Sequence, residues 1–367
     1  MPRTRRGLLQ ATALAPLAAP FAAEAAPRAT KWPPDTTAAG LPKICLISPP
    51  GAAELRHLKQ LDVNYAIASY GGPLPWTEER IRAVIDSYKA HGVSVVNMMI
   101  GGFDDVIRGG PKSEEQIQKV IESIRAAGRA GLPVIEYNFY AHRITEGYYE
   151  ELGRGGAGMT AFRYDKIKDL PPLEGRGPVQ REDQFKRAEH FLKSIIPECE
   201  KAKVRLALHP NDPPAPISRG SQQIMGTFEH WKRYLNLVKS PYNGMTFDSG
   251  VSREMGEDPV VVCRYLLERD CINHIHYRNV VVRKPYEDYA EVFLDNGETN
   301  MYAVMKELVK HKYSRSLYPE HPRALDLDRN MPGGIRSQYA KVGGGGLAGE
   351  VYSVGYTKAM LQAVLSS

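Results

Sequence analysis

The chain has 367 residues, 43% of them apolar and 25% charged, with a formal net charge of +6. That is the composition of a folded globular protein, and it excludes a disordered or low-complexity one. The charge is not gathered into blocks, which speaks against a nucleic-acid or membrane-surface partner. Beyond residue 26 no run of about 18 apolar residues offers a membrane span.

In chain order, Arg3, Arg5 and Arg6 give a basic start, followed by an uncharged Ala/Leu/Pro stretch and the small-residue site Ala23-Glu24-Ala25. This reads as an export signal over residues 1–26. Thr4-Arg5-Arg6-Gly7-Leu8-Leu9 gives it a twin-arginine character and predicts a periplasmic or otherwise exported enzyme. A Pro-rich linker, residues 27–42, precedes the fold.

From there short β-type runs alternate with helical ones. Strands are predicted at Lys43–Ser48, Tyr65–Ser69, Val93–Ile100, Val134–Phe139, Val204–His209, Gly244–Asp248, Asn273–Arg278 and Arg315–Glu320. Helices are predicted between them, one opened by Thr77-Glu78-Glu79 and one, Ser113–Ala130, by a capping-box pattern. Tyr140 to about Pro178 reads as a long loop of the kind that carries function or is partly disordered. Eight β/α units in sequence predict a (β/α)8 TIM barrel over residues 43–367. Ser48-Pro49-Pro50-Gly51 after the first strand is not the Gly-rich phosphate fingerprint expected of a doubly wound sheet. Cys45, Cys199, Cys263 and Cys271 lack metal-type spacing and read as buried thiols.

Barrel chemistry sits at the C-terminal ends of the strands. The fifth to eighth strands end in His209, Asp248, His276 and Glu320, each able to bind a metal. Two imidazoles with two carboxylates suit Mn2+, Fe2+, Co2+ or Mg2+, and without thiolate a purely structural zinc site is disfavoured.

Leu208-His209-Pro210-Asn211-Asp212-Pro213-Pro214 resembles the His-Pro-Asp-Asp-Pro-Pro signature of the mannonate dehydratases. Tyr137-Asn138-Phe139, Thr160-Ala161-Phe162-Arg163-Tyr164-Asp165, Ser240-Pro241-Tyr242-Asn243-Gly244 and His276-Tyr277-Arg278-Asn279-Val280 resemble further family stretches in the same order. The resemblance implies a manganese-type site on His209, Asp248, His276 and Glu320, with His321 as the catalytic histidine. Asp248 stands where the family has Cys, and Glu320 where it has Asp. The family's Asp-Trp-Thr-Arg stretch is replaced by Ala141-His142-Arg143-Ile144-Thr145. The Gly-Tyr-Gly that supplies its catalytic Tyr is replaced by the run Gly343–Gly346, with Tyr339 as a substitute.

The activity so implied is dehydration of D-mannonate to 2-keto-3-deoxy-D-gluconate. It needs a cation that stabilises the enediolate and residues that move two protons. His321 is the acid or base, Arg278 and Arg163 are candidates for the substrate carboxylate, and Asn138 and His142 for further substrate contacts. A second reading is a metal-dependent sugar isomerase or epimerase in which Glu136 and Glu320 are the paired acid/base carboxylates. A third is a sugar-binding barrel without turnover. All three take a small-molecule sugar or sugar acid, and barrels of this kind often form homo-oligomers.

Overall fold

Eight short parallel strands close into a barrel: β1 Lys43–Ser48, β2 Tyr65–Ala68, β3 Ser94–Ile100, β4 Val134–Tyr137, β5 Arg205–Leu208, β6 Asn243–Asp248, β7 Ile272–His276 and β8 Ser316–Tyr318. They neighbour one another in sequence order, and β8 pairs with β1 to shut the ring. In this computed structural model residues 32–68, 72–335 and 338–367 are described, with the side chains at 338 and 339 excepted. The expected export signal, the first residues of the linker and the Tyr339 side chain lie outside the described residues. Asp35–Ser367 form one compact unit.

The strands are buried on both faces, as parallel strands under a helical ring must be. Their outward residues meet amphipathic helices such as Ser113–Ala130, which buries Ile117, Val120, Ile121 and Ile124. The helix starts follow local chemistry in most places. Thr77 accepts a hydrogen bond from the Arg80 N–H, Thr227 from His230 and Asn300 from Ala303. The expected capping box at Ser113 does not form. Lys112 occupies the cap, and the Ser113 hydroxyl donates to the carbonyls of Asp105 and Gly110 instead. All four cysteines are buried free thiols, as expected. No helix among the described residues is long and apolar enough to cross a membrane.

The long loop after β4 is a correction. It carries two antiparallel strands, Tyr148–Leu152 and Gly158–Arg163, which join two more from the segment after β7, Asn279–Lys284 and Asp288–Val292. Together they make a four-stranded sheet with 288–292 and 158–163 at its centre. Phe162 and Tyr289 pack with Ile144, Ile167 and Ala215 on one face, and Met159, Ala161, Ala290 and Val292 form a second cluster. Gly343 lies against this sheet with φ 84°, where an added Cβ would stand 2.8 Å from the Met159 nitrogen. Part of the glycine run before the last helix is therefore required by a close backbone approach.

Candidate metal centre

Inside the barrel the side chains form polar layers. The lower one joins Asn97, Glu136 and Thr246: Asn97 Nδ2 donates to Glu136 Oε2 at 2.9 Å, and Thr246 Oγ1 to Oε1 at 2.8 Å. Beside it His274 Nδ1 meets Ser316 Oγ at 2.7 Å. Two residues further along the strands, the pleat brings the next inward positions to the C-terminal end of the barrel. There Asp248 of β6 stands in register with His276 of β7, His209 follows directly after β5, and Glu320 lies two residues past the end of β8.

These four expected ligands converge. One ligand atom from each of His209, Asp248, His276 and Glu320 lies within 4.8 Å of all the others. His209 Nε2 faces His276 Nδ1 at 3.1 Å, and the same Nδ1 lies 2.8 Å from Glu320 Oε2 and 3.7 Å from Asp248 Oδ2. The orientation of two of these side chains, His209 and Asp248, has a local cause. His209 Nδ1 lies 2.7 Å from the Pro210 carbonyl, which keeps the proton there and turns the Nε2 lone pair inward. Tyr140 Oη contacts the same nitrogen at 2.9 Å. Asp248 caps the helix Ser249–Glu254 through Oδ1, accepting from the Val251 N–H at 2.8 Å, and this directs Oδ2 into the cluster.

The donor set fits a divalent cation. Two ring nitrogens 3.1 Å apart and two carboxylates converge there in a largely buried space. Electrostatics point the same way. Burial alone would lower the His276 pKa, but Glu320, Asp248 and Glu136 outweigh it and push it up to about 10. Burial opposes ionisation of Asp248, yet the Arg278 guanidinium holds its carboxyl down at about 2. The pocket therefore favours positive charge at its centre and keeps its carboxylates ionised.

The remaining expected site residues separate by position. His321 adjoins the cluster: its Nε2 lies 3.1 Å from Glu320 Oε1 and its Nδ1 2.7 Å from Glu291 Oε2. Burial works against the imidazolium, but Glu291 and Glu320 raise its pKa well above the ordinary histidine value. Its φ of 49° is in the left-handed region, a conformation that costs about 1–2 kcal/mol for a non-glycine residue. Arg323, donating to the His321 carbonyl and to Glu291, clamps it there. Glu136 reaches the cavity, but both its oxygens accept hydrogen bonds and His276 Nε2 lies 3.6 Å away. It stands behind a ligand imidazole rather than opposite Glu320.

Both arginines expected to hold the substrate carboxylate contact carboxylates of the protein itself. Arg278 is 2% exposed and is surrounded by carboxylates of the protein itself: Asp248 at 3.0 Å, Glu254 at 2.7 Å and Asp212 at 3.1 Å. It is the counter-charge of the site's underside. Arg163 is exposed on the antiparallel sheet and paired with Asp165 at 2.7 Å.

Asn138 does line the mouth. Its Oδ1 is buried without a donor and its Nδ2 meets only the Met99 sulfur at 3.9 Å. His142 lines a neighbouring cavity and contacts Glu146 at 3.3 Å.

The mouth is a cavity of about 570 Å3 holding Glu136, Asn138, Arg143, His209, Asp212, His276, Glu320 and His321, with Ile47, Leu58, Ile67 and Met99 forming an apolar wall. Sequence reasoning did not single out Asp212, Arg143 or Glu291. Asp212 accepts from Tyr148 Oη at 3.0 Å and stood inside the quoted motif, so a signal for it was present. Glu291 sits on one of the unforeseen strands, and no comparable signal marks it.

A closed barrel with such a cluster at its C-terminal mouth defines a metal-dependent barrel enzyme. The chain belongs to the D-mannonate dehydratase (UxuA) family, whose profile matches residues 156–364, more than half of its length. It is 28% identical over 286 residues to a mannonate dehydratase of Streptococcus pneumoniae, covering 71% of this chain and 78% of that one. With a mannonate dehydratase of Streptococcus suis it shares 30% over 257 residues, covering 63% and 70%. The crystal structure of mannonate dehydratase from Streptococcus suis serotype 2 superposes with a TM-score of 0.78 at 25% identity, covering 89% of this chain and 95% of that one. An L-ribulose 3-epimerase, at 14% identity and a TM-score of 0.53, shares the fold alone.

Proposed function

We propose that this chain dehydrates D-mannonate to 2-keto-3-deoxy-D-gluconate, with manganese as its ion. The observation that carries the reading is the convergence of His209, Asp248, His276 and Glu320, with His321 in contact with Glu320, at the mouth of a barrel of this family. A divalent cation held by those four residues supplies Lewis-acid stabilisation of the negative charge that develops on the substrate oxygens.

The chain's own residues hold the substrate and move the protons. The C2 proton leaves to a base and the C3 hydroxyl departs as water after protonation. The resulting enol then takes a proton at C3 to become the 2-keto-3-deoxy acid. His321, whose pKa burial lowers but Glu291 and Glu320 raise above the ordinary histidine value, is placed to donate to the departing hydroxyl. Tyr339 is assigned the partner proton transfer on the family resemblance. Asn138, with its unsatisfied amide at the mouth, orients substrate hydroxyls. The apolar wall of Ile47, Ile67 and Met99 keeps water from the reacting carbons.

Incubating the manganese-loaded protein with D-mannonate in D2O tests this. The keto acid appears carrying deuterium at C3, and an unchanged acid with metal bound sinks the substrate assignment. Export belongs to the same reading and rests on Arg5-Arg6 and the apolar stretch after them. A periplasmic protein whose first residue precedes Pro27 counts against cleavage.

A further inference from the structure

A second cavity of about 390 Å3 opens beside the mouth and shares Met99, Asn138, Tyr140 and Arg143 with it. Its own walls are Gly101, Gly102, Asp104, Ile107, His142 and Arg176. A Cβ added at Gly101 would meet nothing within 4 Å, so this floor is open space. Two guanidiniums, Arg143 and Arg176, line the cavity against one carboxylate, Asp104. Arg176 makes no ion pair with a carboxylate among the described residues.

A third arginine, Arg108, stands behind the wall and donates to the Ala141 carbonyl. Its pKa is lowered first by burial and then by repulsion from Arg176, so the guanidiniums lie close enough to feel one another. Like charges gathered at the edge of a cavity raise the local potential and favour an anion there. Arg in particular suits carboxylate and phosphate, whose oxygens match its planar fork. The half-satisfied amide of Asn138 stands on the wall the two cavities share, within reach of a ligand that spans both.

We propose that the side cavity is a second anion subsite, and that the preferred substrate is a sugar acid with an additional anionic group, carboxylate or phosphate, at the end remote from the reacting carboxylate. The inference rests on the sugar-acid reading and extends it. The first anionic group is placed at the cluster of His209, Asp248, His276 and Glu320, and the second between Arg143 and Arg176. The arginines lie on 141–145 and on the loop Gly175–Gly177, the first of these being where this sequence departs from the mannonate dehydratase pattern. Arg176 is then a specificity residue, with no part in the proton transfers.

The test compares D-mannonate, the hexaric acid of the same configuration and 6-phospho-D-mannonate, in the manganese-loaded full chain and in R176E. The expected result is a kcat/KM for a doubly anionic acid about ten- to a hundred-fold above that for D-mannonate, the range of one or two charge-assisted hydrogen bonds. In R176E that ratio collapses toward one. Whichever of the two acids shows the preference identifies the group.

Equal kcat/KM for all three acids, or a ratio unmoved by R176E, overturns the inference. Calorimetric binding separates it from the dehydratase reading. If none of the acids is converted but a doubly anionic one binds at least ten-fold tighter than D-mannonate, and R176E removes the difference, the subsite stands and the reaction assignment falls. Equal binding of all three acids, also in the absence of turnover, removes the subsite.

Discussion

Strands β1 to β3 and strands β5 to β8 share one backbone architecture, yet they finish differently at the mouth of the barrel. The first group presents Ile47, Ile67 and Met99, and the second is followed by or ends in His209, Asp248, His276 and Glu320. The apolar side gives shape and excludes water, while the charged side gathers the candidate ligands, the candidate proton donor His321 and the carboxylates that position them. The charged side also needs deeper support. Arg278 pairs with three carboxylates, Arg323 and Glu291 hold His321, and Glu136 stands behind His276. A barrel of repeated units can concentrate chemistry on one arc because each strand end is varied independently of the hydrogen-bonded ring beneath it.

That contrast can be broken most directly on the charged arc. His209→Ala removes an imidazole facing the cluster, and both bound manganese and D-mannonate turnover are expected to fall to background, read by metal analysis and keto-acid formation. His321→Gln separates proton transfer from metal binding: the ion stays at one per chain while kcat falls about 10²–10⁴-fold, the usual contribution of a general acid or base. Arg278→Met leaves Asp248, Glu254 and Asp212 buried without their counter-charge. It is expected to destabilise the fold by about 3–5 kcal/mol, visible as a lower denaturation midpoint. Glu136→Gln weakens the support of His276, with a loss of about 10–100-fold in metal affinity measured by competition with a chelator. On the other arc, Ile47, 53% exposed, belongs to the apolar wall and not to the cluster. Ile47→Ser is expected to change stability by no more than about 0.5 kcal/mol and to leave metal stoichiometry unaltered. A loss of the ion there would erase the distinction between the two arcs.

The barrel itself was legible because each strand is a short apolar run bounded by helix-start and helix-stop signals. The observed bounds of β1 coincide with the expected ones, and the others differ by one or two residues at one or both ends. The four ligand candidates were legible for the same reason, since a strand end is a defined place in a barrel. The antiparallel sheet was not. Its edge strand Tyr148–Leu152 carries Glu150 and Glu151, residue types depleted in strands, and Asn279–Lys284 follows β7 after only two residues. Pairing these segments depends on the barrel bringing them together over the mouth, which no local pattern encodes.

Arg278 illustrates a second limit. Its position two residues past His276 suggested an anion site, but Asp212, Asp248 and Glu254, from three other segments, already occupy its guanidinium. Only their spatial arrangement shows that this charge is spent inside the protein.

The central claim is that His209, Asp248, His276 and Glu320 form one metal site. Titrating Mn2+ into chelator-treated protein by calorimetry, alongside Asp248→Ala and Glu320→Ala, tests it most directly. The account predicts one ion per chain in the parent protein and no measurable binding in either variant. Parent protein that binds no ion, or variants that bind it with unchanged affinity, would contradict it.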